Sequence, residues 1–144
     1  MSGPPLLDTN VLIRHFTNDH AEHSPRATAL IRHIADGKAQ ARLSETIVFE
    51  TVFTLEKRYR VPRQTIRDGL LTILALPGME LPGKRIYQEV FQLWLEHPGL
   101  SFADSFHVCL AKYLDLEGVI SFDESMDHLP EVRIWPPPTV DVAE

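Results

Sequence analysis

Hydrophobic and polar positions divide this chain into short apolar runs alternating with longer amphipathic stretches. Pro5 to Asp8 reads as a short apolar strand ending in a carboxylate, and Val11 to Phe16 as a short helix. Ser24-Pro25 is a helix start signal, with serine as N-cap and proline at the first helical position. Ala27, Leu30, Ile31 and Ile34 then fall on one face, and Gly37 closes that helix. Ala39 to Leu43 is a second strand candidate. Ser44 caps a helix reaching about Tyr59, and Pro62 restarts one that carries Ile66, Leu70, Leu71, Ile73 and Leu74. Pro77-Gly78 breaks the pattern before a short strand at Met79 to Leu81. Gly83 to His97 is amphipathic, with Ile86, Val90, Leu93 and Trp94 at helical spacing. After Pro98-Gly99, Ser101 opens a helix that ends before Gly118. Val119 to Phe122 reads as a buried strand and Val132 to Trp135 as a last one, with a mobile tail from Thr139.

Strands alternating with helices predict an α/β fold, a parallel sheet covered by helices on both faces. Ligands of such sheets sit at the carboxyl ends of the strands, where Asp8 and Asp123 fall. The 144 residues suffice for one domain with a real core, expected over 1–138 with 139–144 as tail.

Composition is ordinary for a globular protein, with 44% hydrophobic and 24% charged residues. No apolar run is long enough to span a membrane, and residues 1–5 have no secretion signal. Cys109, the only cysteine, excludes an intramolecular disulfide and reads as a buried small hydrophobe. Both features fit a cytoplasmic location. The net charge of −6 argues against a nucleic-acid partner until it is divided. Residues 1–72 hold ten Lys/Arg against eight Asp/Glu, a net +2, whereas residues 73–144 hold four against twelve, a net −8. Lys57, Arg58, Arg60, Arg63 and Arg67 form a basic cluster in the first half. It is either a solvated helix end or a rim for a polyanion.

Four carboxylates stand at element ends or on a polar stripe: Asp8, Glu50, Asp104 and Asp123. Each has an ordinary explanation. Asp8 would serve as a helix N-cap, and Glu50 lies on a Thr46–Glu50–Thr54 stripe that would face water. Asp104 completes an outline capping box with Ser101, and Asp123 would be a cap or turn aspartate. Together they suggest one carboxylate pocket, whose mutual repulsion a cation would relieve. Oxygen-only ligands favour Mg²⁺ or Mn²⁺, one or two ions, over Zn²⁺. Thr9 and Asn10 would add polar groups beside Asp8. His107 lies one turn after Asp104, and Asp127 four residues after Asp123. His20 and His23 lack a partner pair for zinc, and the chain has no phosphate-cradling glycine loop and no nucleophile-elbow motif.

The motifs resemble those of PIN domains. Leu6-Leu7-Asp8-Thr9-Asn10-Val11-Leu12 resembles their opening motif, and Ser44 followed by Glu50 their second acid. Leu100 to His107 resembles the third motif, and Ile120-Ser121-Phe122-Asp123 through Asp127-His128-Leu129-Pro130 the fourth, with Met126 where the family often has an aromatic. The resemblance covers nearly the whole chain, and its size is similar to the VapC toxin group. It implies a single three-layer α/β/α domain with a central parallel sheet, usually in homodimers. It also implies a small metal-dependent endoribonuclease paired with an antitoxin protein. By resemblance Asp8, Glu50, Asp104 and Asp123 are catalytic metal ligands, Asp127 joins or supports them, and Asn10 is accessory with Thr9.

Arg14, Lys57, Arg58, Arg60 and Arg63 are the candidates for contacts with the RNA backbone. Val11, Leu12, Phe16, Leu30, Phe49 and Phe53 would supply core and, in part, a groove for an antitoxin helix. A catalytically silent PIN-like module that binds RNA or protein is the alternative. A haloacid-dehalogenase-like phosphatase would want a second aspartate where Asn10 stands.

Overall fold

The computed structural model describes residues 2–129 and 132–140. The chain divides into two compact units, Met1–Arg85 and Ile86–Glu144.

In the first unit, helix α1 spans Thr9–Thr17 and α2 His23–Ala35; strand β1 is Ala41–Arg42 and α3 Glu45–Phe53. A π-helical segment, Thr54–Arg58, continues α3, and α4 (Arg63–Leu74) leads to β2 (Met79–Glu80). Strands β1 and β2 pair in parallel, Ala41 opposite Met79, and Leu6 forms a parallel bridge to Arg42. The strand expected over Pro5 to Asp8 is therefore a single bridge that places Asp8 just beyond the sheet. Leu12, Ile34, Leu43, Val48, Leu55, Ile66, Leu70 and Met79 are almost wholly buried and form this unit's core.

Local sequence explains most boundaries. The Ser44 side chain accepts from Ile47 N at 3.3 Å, the expected cap of α3. Gly37 follows α2 at φ 76°, where an L side chain would be strained. The start of α2 differs from expectation. The helix begins at His23, because Ser24 already donates its N–H to His20 O and its hydroxyl accepts from His20 N at 3.2 Å. Ser24 is thus wholly buried inside the first turn rather than capping it.

The second unit contains α5 (Ile86–Glu96), α6 (Phe102–Tyr113), β3 (Val119–Ile120), a 3₁₀ turn at Glu124–Met126, and β4 (Ile134–Trp135). Strands β3 and β4 are also parallel, so every described strand pairing is parallel as the alternation predicted. Phe102, at the start of α6, sits among aromatic rings from α5, 4.8 Å from Phe91 and 5.4 Å from Trp94 between centroids. Offset and edge-on packing of this kind adds to area burial and fixes where α6 begins. Leu100, Val108, Met126 and Leu129 form a second buried cluster behind the 3₁₀ turn. Cys109 is buried, as its apolar surroundings predicted.

The buried strand expected over Val119 to Phe122 is shorter and wetter. Only Val119 and Ile120 pair, Ile120 is 60% exposed and Phe122 81% exposed. Apolar composition alone does not separate a buried strand from one whose outer side faces water. Gly118 precedes it at φ 153°, and a Cβ there would collide with the Arg133 carbonyl that accepts from Val119 N. Pro130 of the fourth motif and residues 141–144 of the expected tail lie outside the described residues.

Candidate active site

Asp8 ends the stretch after the Leu6 bridge and caps α1, its Oδ1 accepting from Thr9 N at 2.9 Å. The Thr9 hydroxyl donates to Glu50 Oε2 at 3.1 Å, across 41 residues of sequence. The first helix turn is thereby tied to the middle of α3. Asp8 and Glu50 are both exposed and line one open cavity of about 380 Å³. Glu50 and Thr54 of the polar stripe therefore face a cleft, whereas Thr46 does not line it.

The same cavity also has basic and aromatic lining. Arg14 reaches it from α1, and Arg58 and Tyr59 from the π-helical segment and the residue after it. Widening a helix by one residue per turn redirects side chains, and such segments recur at functional sites. Sequence reasoning missed Tyr59. The Thr46–Glu50–Thr54 stripe extended by a turn reaches Arg58 and would have led to its neighbour.

The other basic candidates have different surroundings. Arg63 is mostly buried and bonds Glu56 Oε2 at 2.7 Å, which makes it part of the fold of its unit. Lys57 is exposed, 3.7 Å from the same glutamate, and Arg60 stands at φ 55° just after the π-helical segment. Arg14 pairs with Asp19 at 3.2 Å. The Thr17 hydroxyl, with Arg14 adding to it, holds the Asp19 carboxyl below the usual carboxylate range.

In the second unit, Ser101 caps α6 by accepting from Asp104 N at 3.0 Å, the serine half of the expected capping box. Asp104 then lies in the first helical turn. Asp123 caps the 3₁₀ turn, with Oδ1 accepting from Ser125 N at 2.9 Å, while Asp123 N donates to Ser121 Oγ at 2.9 Å. The Ser125 backbone N–H holds the Asp123 carboxyl below its ordinary value.

Asp127 ends the 3₁₀ turn and is exposed. His107 is exposed on α6 with its ring edge-on to Phe106. His20 and His23 stack at 4.0 Å, and among the described residues no third potential ligand joins them.

The structure thus places Asp8, Thr9 and Glu50 in one unit and Asp104 and Asp123 in the other. Among the described residues, no group of three or more His, Cys, Asp or Glu side chains is arranged to hold a metal ion. The chemistry of the donors still fits a hard divalent cation: ionisable carboxylates and hydroxyls, accessible to solvent, with no thiolate or imidazole among them. Among the described residues no helix is long and apolar enough to cross a membrane.

No curated protein matches this chain. The family model of the PIN domain matches residues 6–132, a span that contains Asp8, Glu50, Asp104, Asp123 and Asp127. PIN domains are generally nucleases and generally use divalent metals. With nearly the whole chain matched, and with helices alternating with parallel strands as that fold requires, this protein belongs to the PIN domain family.

Proposed function

We propose that this protein is a divalent-metal-dependent endoribonuclease, the toxin of a VapC-type toxin–antitoxin pair. The open cavity that Asp8 and Glu50 line together with Arg14 and Arg58 carries the reading, because it sets two exposed carboxylates, tied through Thr9, beside cations that suit a phosphodiester. Asp8, Glu50, Asp104 and Asp123 are the residues that would hold Mg²⁺ or Mn²⁺, one ion or two, with Asp127 as a supporting carboxylate. Bound there, the ion would lower the pKa of a water and offset charge on the leaving oxygen.

The side chains of the chain do the positioning. Thr9 holds one oxygen of Glu50 and leaves the other free to act. Asp8 is oriented by its own helix turn, and Asn10 offers an amide beside it. Arg14 and Arg58 line the same cavity as these carboxylates and would supply positive charge for a phosphodiester. Tyr59 offers a ring on which an unpaired base can stack, which suits single-stranded or looped RNA. No covalent protein nucleophile is needed. An antitoxin helix, a second copy of the chain and a cytoplasmic setting complete the proposal.

Purified protein incubated with an end-labelled structured RNA pool tests the reading. Cleavage should require Mg²⁺ or Mn²⁺, stop in EDTA, and be absent from Asp104→Asn prepared identically. Cleavage that persists in EDTA or in the variant would remove the support.

A further inference from the structure

A second cavity lies in the first unit between α1 and α2, with a volume of about 520 Å³. Three of its lining residues are cationic or can become so: Arg14, His23 and Arg26. Val11, Ala27 and Leu30 give it an apolar side, and no carboxylate lines it. Asn10 and Arg14 line both this groove and the Asp8–Glu50 cavity, so the two are continuous along α1.

We propose that this groove binds the stretch of single-stranded RNA flanking the scissile phosphate. Arg14, Arg26 and His23 would engage its phosphates, and one base would lie against Val11, Ala27 and Leu30. The inference rests on the ribonuclease reading and extends it to a subsite. Its volume falls in the range of about 300–1,000 Å³ typical of clefts that enclose a small ligand, a scale that suits a nucleotide. An amphipathic helix would want a longer apolar strip, with anchors at i, i+3, i+4 and i+7. The cations are available. Arg26 pairs with Glu22 at 3.6 Å with both side chains over 70% exposed, and Arg14 pairs with Asp19 at a half-exposed position. Exposed pairs of this kind exchange readily for a phosphate. The His23 ring is held at the groove edge by its stack on His20. Arg14 would then serve both cavities, touching the phosphate nearest the scissile bond.

Metal-supported cleavage of a dinucleotide and of a longer oligoribonucleotide, by wild type, Arg26→Gln and Arg26→Glu, tests the subsite. Arg26 is exposed enough that neither substitution threatens folding. KM for the longer RNA should rise several-fold in Arg26→Gln and further in Arg26→Glu, with dinucleotide cleavage unchanged. The log–log salt dependence of binding should lose about 0.7 in slope for the lost phosphate contact. Wild-type cleavage with unchanged KM and salt slope in both variants would overturn the subsite and leave the ribonuclease reading intact. Loss of binding to an acidic helical peptide, with RNA handling unchanged, would also overturn it and assign the groove to a protein partner. No cleavage of either RNA by wild type would sink the ribonuclease reading and the subsite with it.

Discussion

Asp8→Ala and Asp8→Asn should cleave RNA equally poorly yet differ in stability, because one carboxylate caps a helix and is also proposed to hold a metal. The cap is a single hydrogen bond, Thr9 N to Asp8 Oδ1 at 2.9 Å, with Asp8 in the extended conformation that N-caps adopt. Asparagine keeps a side-chain oxygen in that place and ranks with aspartate as a cap, whereas alanine removes it at a cost of about 1 kcal/mol. Both substitutions lose the favourable interaction of a charge with the helix N-terminus, about 0.3 kcal/mol at an exposed site. Both also relieve repulsion between Asp8 and Glu50 in their shared cavity. Asp8→Asn should therefore melt close to wild type and Asp8→Ala about 3–5 °C lower for a chain of this size. Cleavage in saturating Mn²⁺ should fall at least about 100-fold in both, the usual scale for losing one preorganised charge-stabilising group. Calorimetric melting in EDTA and initial cleavage rates in Mn²⁺ measure the two effects separately. Asp8→Asn cleaving within a few-fold of wild type would refute the ligand role and leave Asp8 a cap alone.

Three further substitutions probe the fold around the candidate site. Phe102→Ala should cost about 3–5 kcal/mol in denaturant unfolding, because it empties a ring site packed against Phe91 and Trp94; a loss under 1 kcal/mol would show that these rings do not set the start of α6. Arg63→Ala should lower stability by about 1–3 kcal/mol by removing the 2.7 Å partner of half-buried Glu56, while leaving the salt dependence of RNA binding unchanged; a shallower salt slope would restore Arg63 as an RNA contact. Burial, followed by the charge of Arg32, lowers the His15 pKa below 6.5. The unfolded chain then binds more protons near that value, so this histidine's contribution is complete above pH 6.5 and is lost as pH falls through the lowered pKa. His15→Gln should flatten unfolding free energy against pH over that window, and an unchanged slope would contradict the assignment.

Much of this was legible in the sequence where one local interaction decides the outcome. Ser44 and Ser101 cap helices because each side chain reaches a backbone N–H three residues on, which spacing alone specifies. Ser24 has the same signature and failed as a cap, because the turn at residues 20–23 had already captured its hydroxyl. The four acids were likewise readable as a group, and the structure brings Asp8 and Glu50 to one cavity. Asp8 and Asp123 are caps and candidate ligands at once, so the ordinary and functional explanations did not compete. The bond from Thr9 to Glu50 was hidden, since it joins positions 41 residues apart through the fold. The π-helical turn was hidden too, because no residue type marks a switch of hydrogen-bonding partner from i−4 to i−5. That switch is what brings Arg58 and Tyr59 to the cavity. The exposed strand at Val119–Ile120 escaped a reading that scored apolarity without knowing which side was covered.

Mn²⁺ binding measured by titration calorimetry on wild type, Glu50→Gln and Asp123→Asn would test the proposed metal set most directly. If Glu50 and Asp123 are each metal ligands, wild type binds Mn²⁺ and each variant binds at least about tenfold more weakly, one lost carboxylate costing about 1.4 kcal/mol or more. Equal binding by all three proteins, or no binding by wild type, would contradict that assignment.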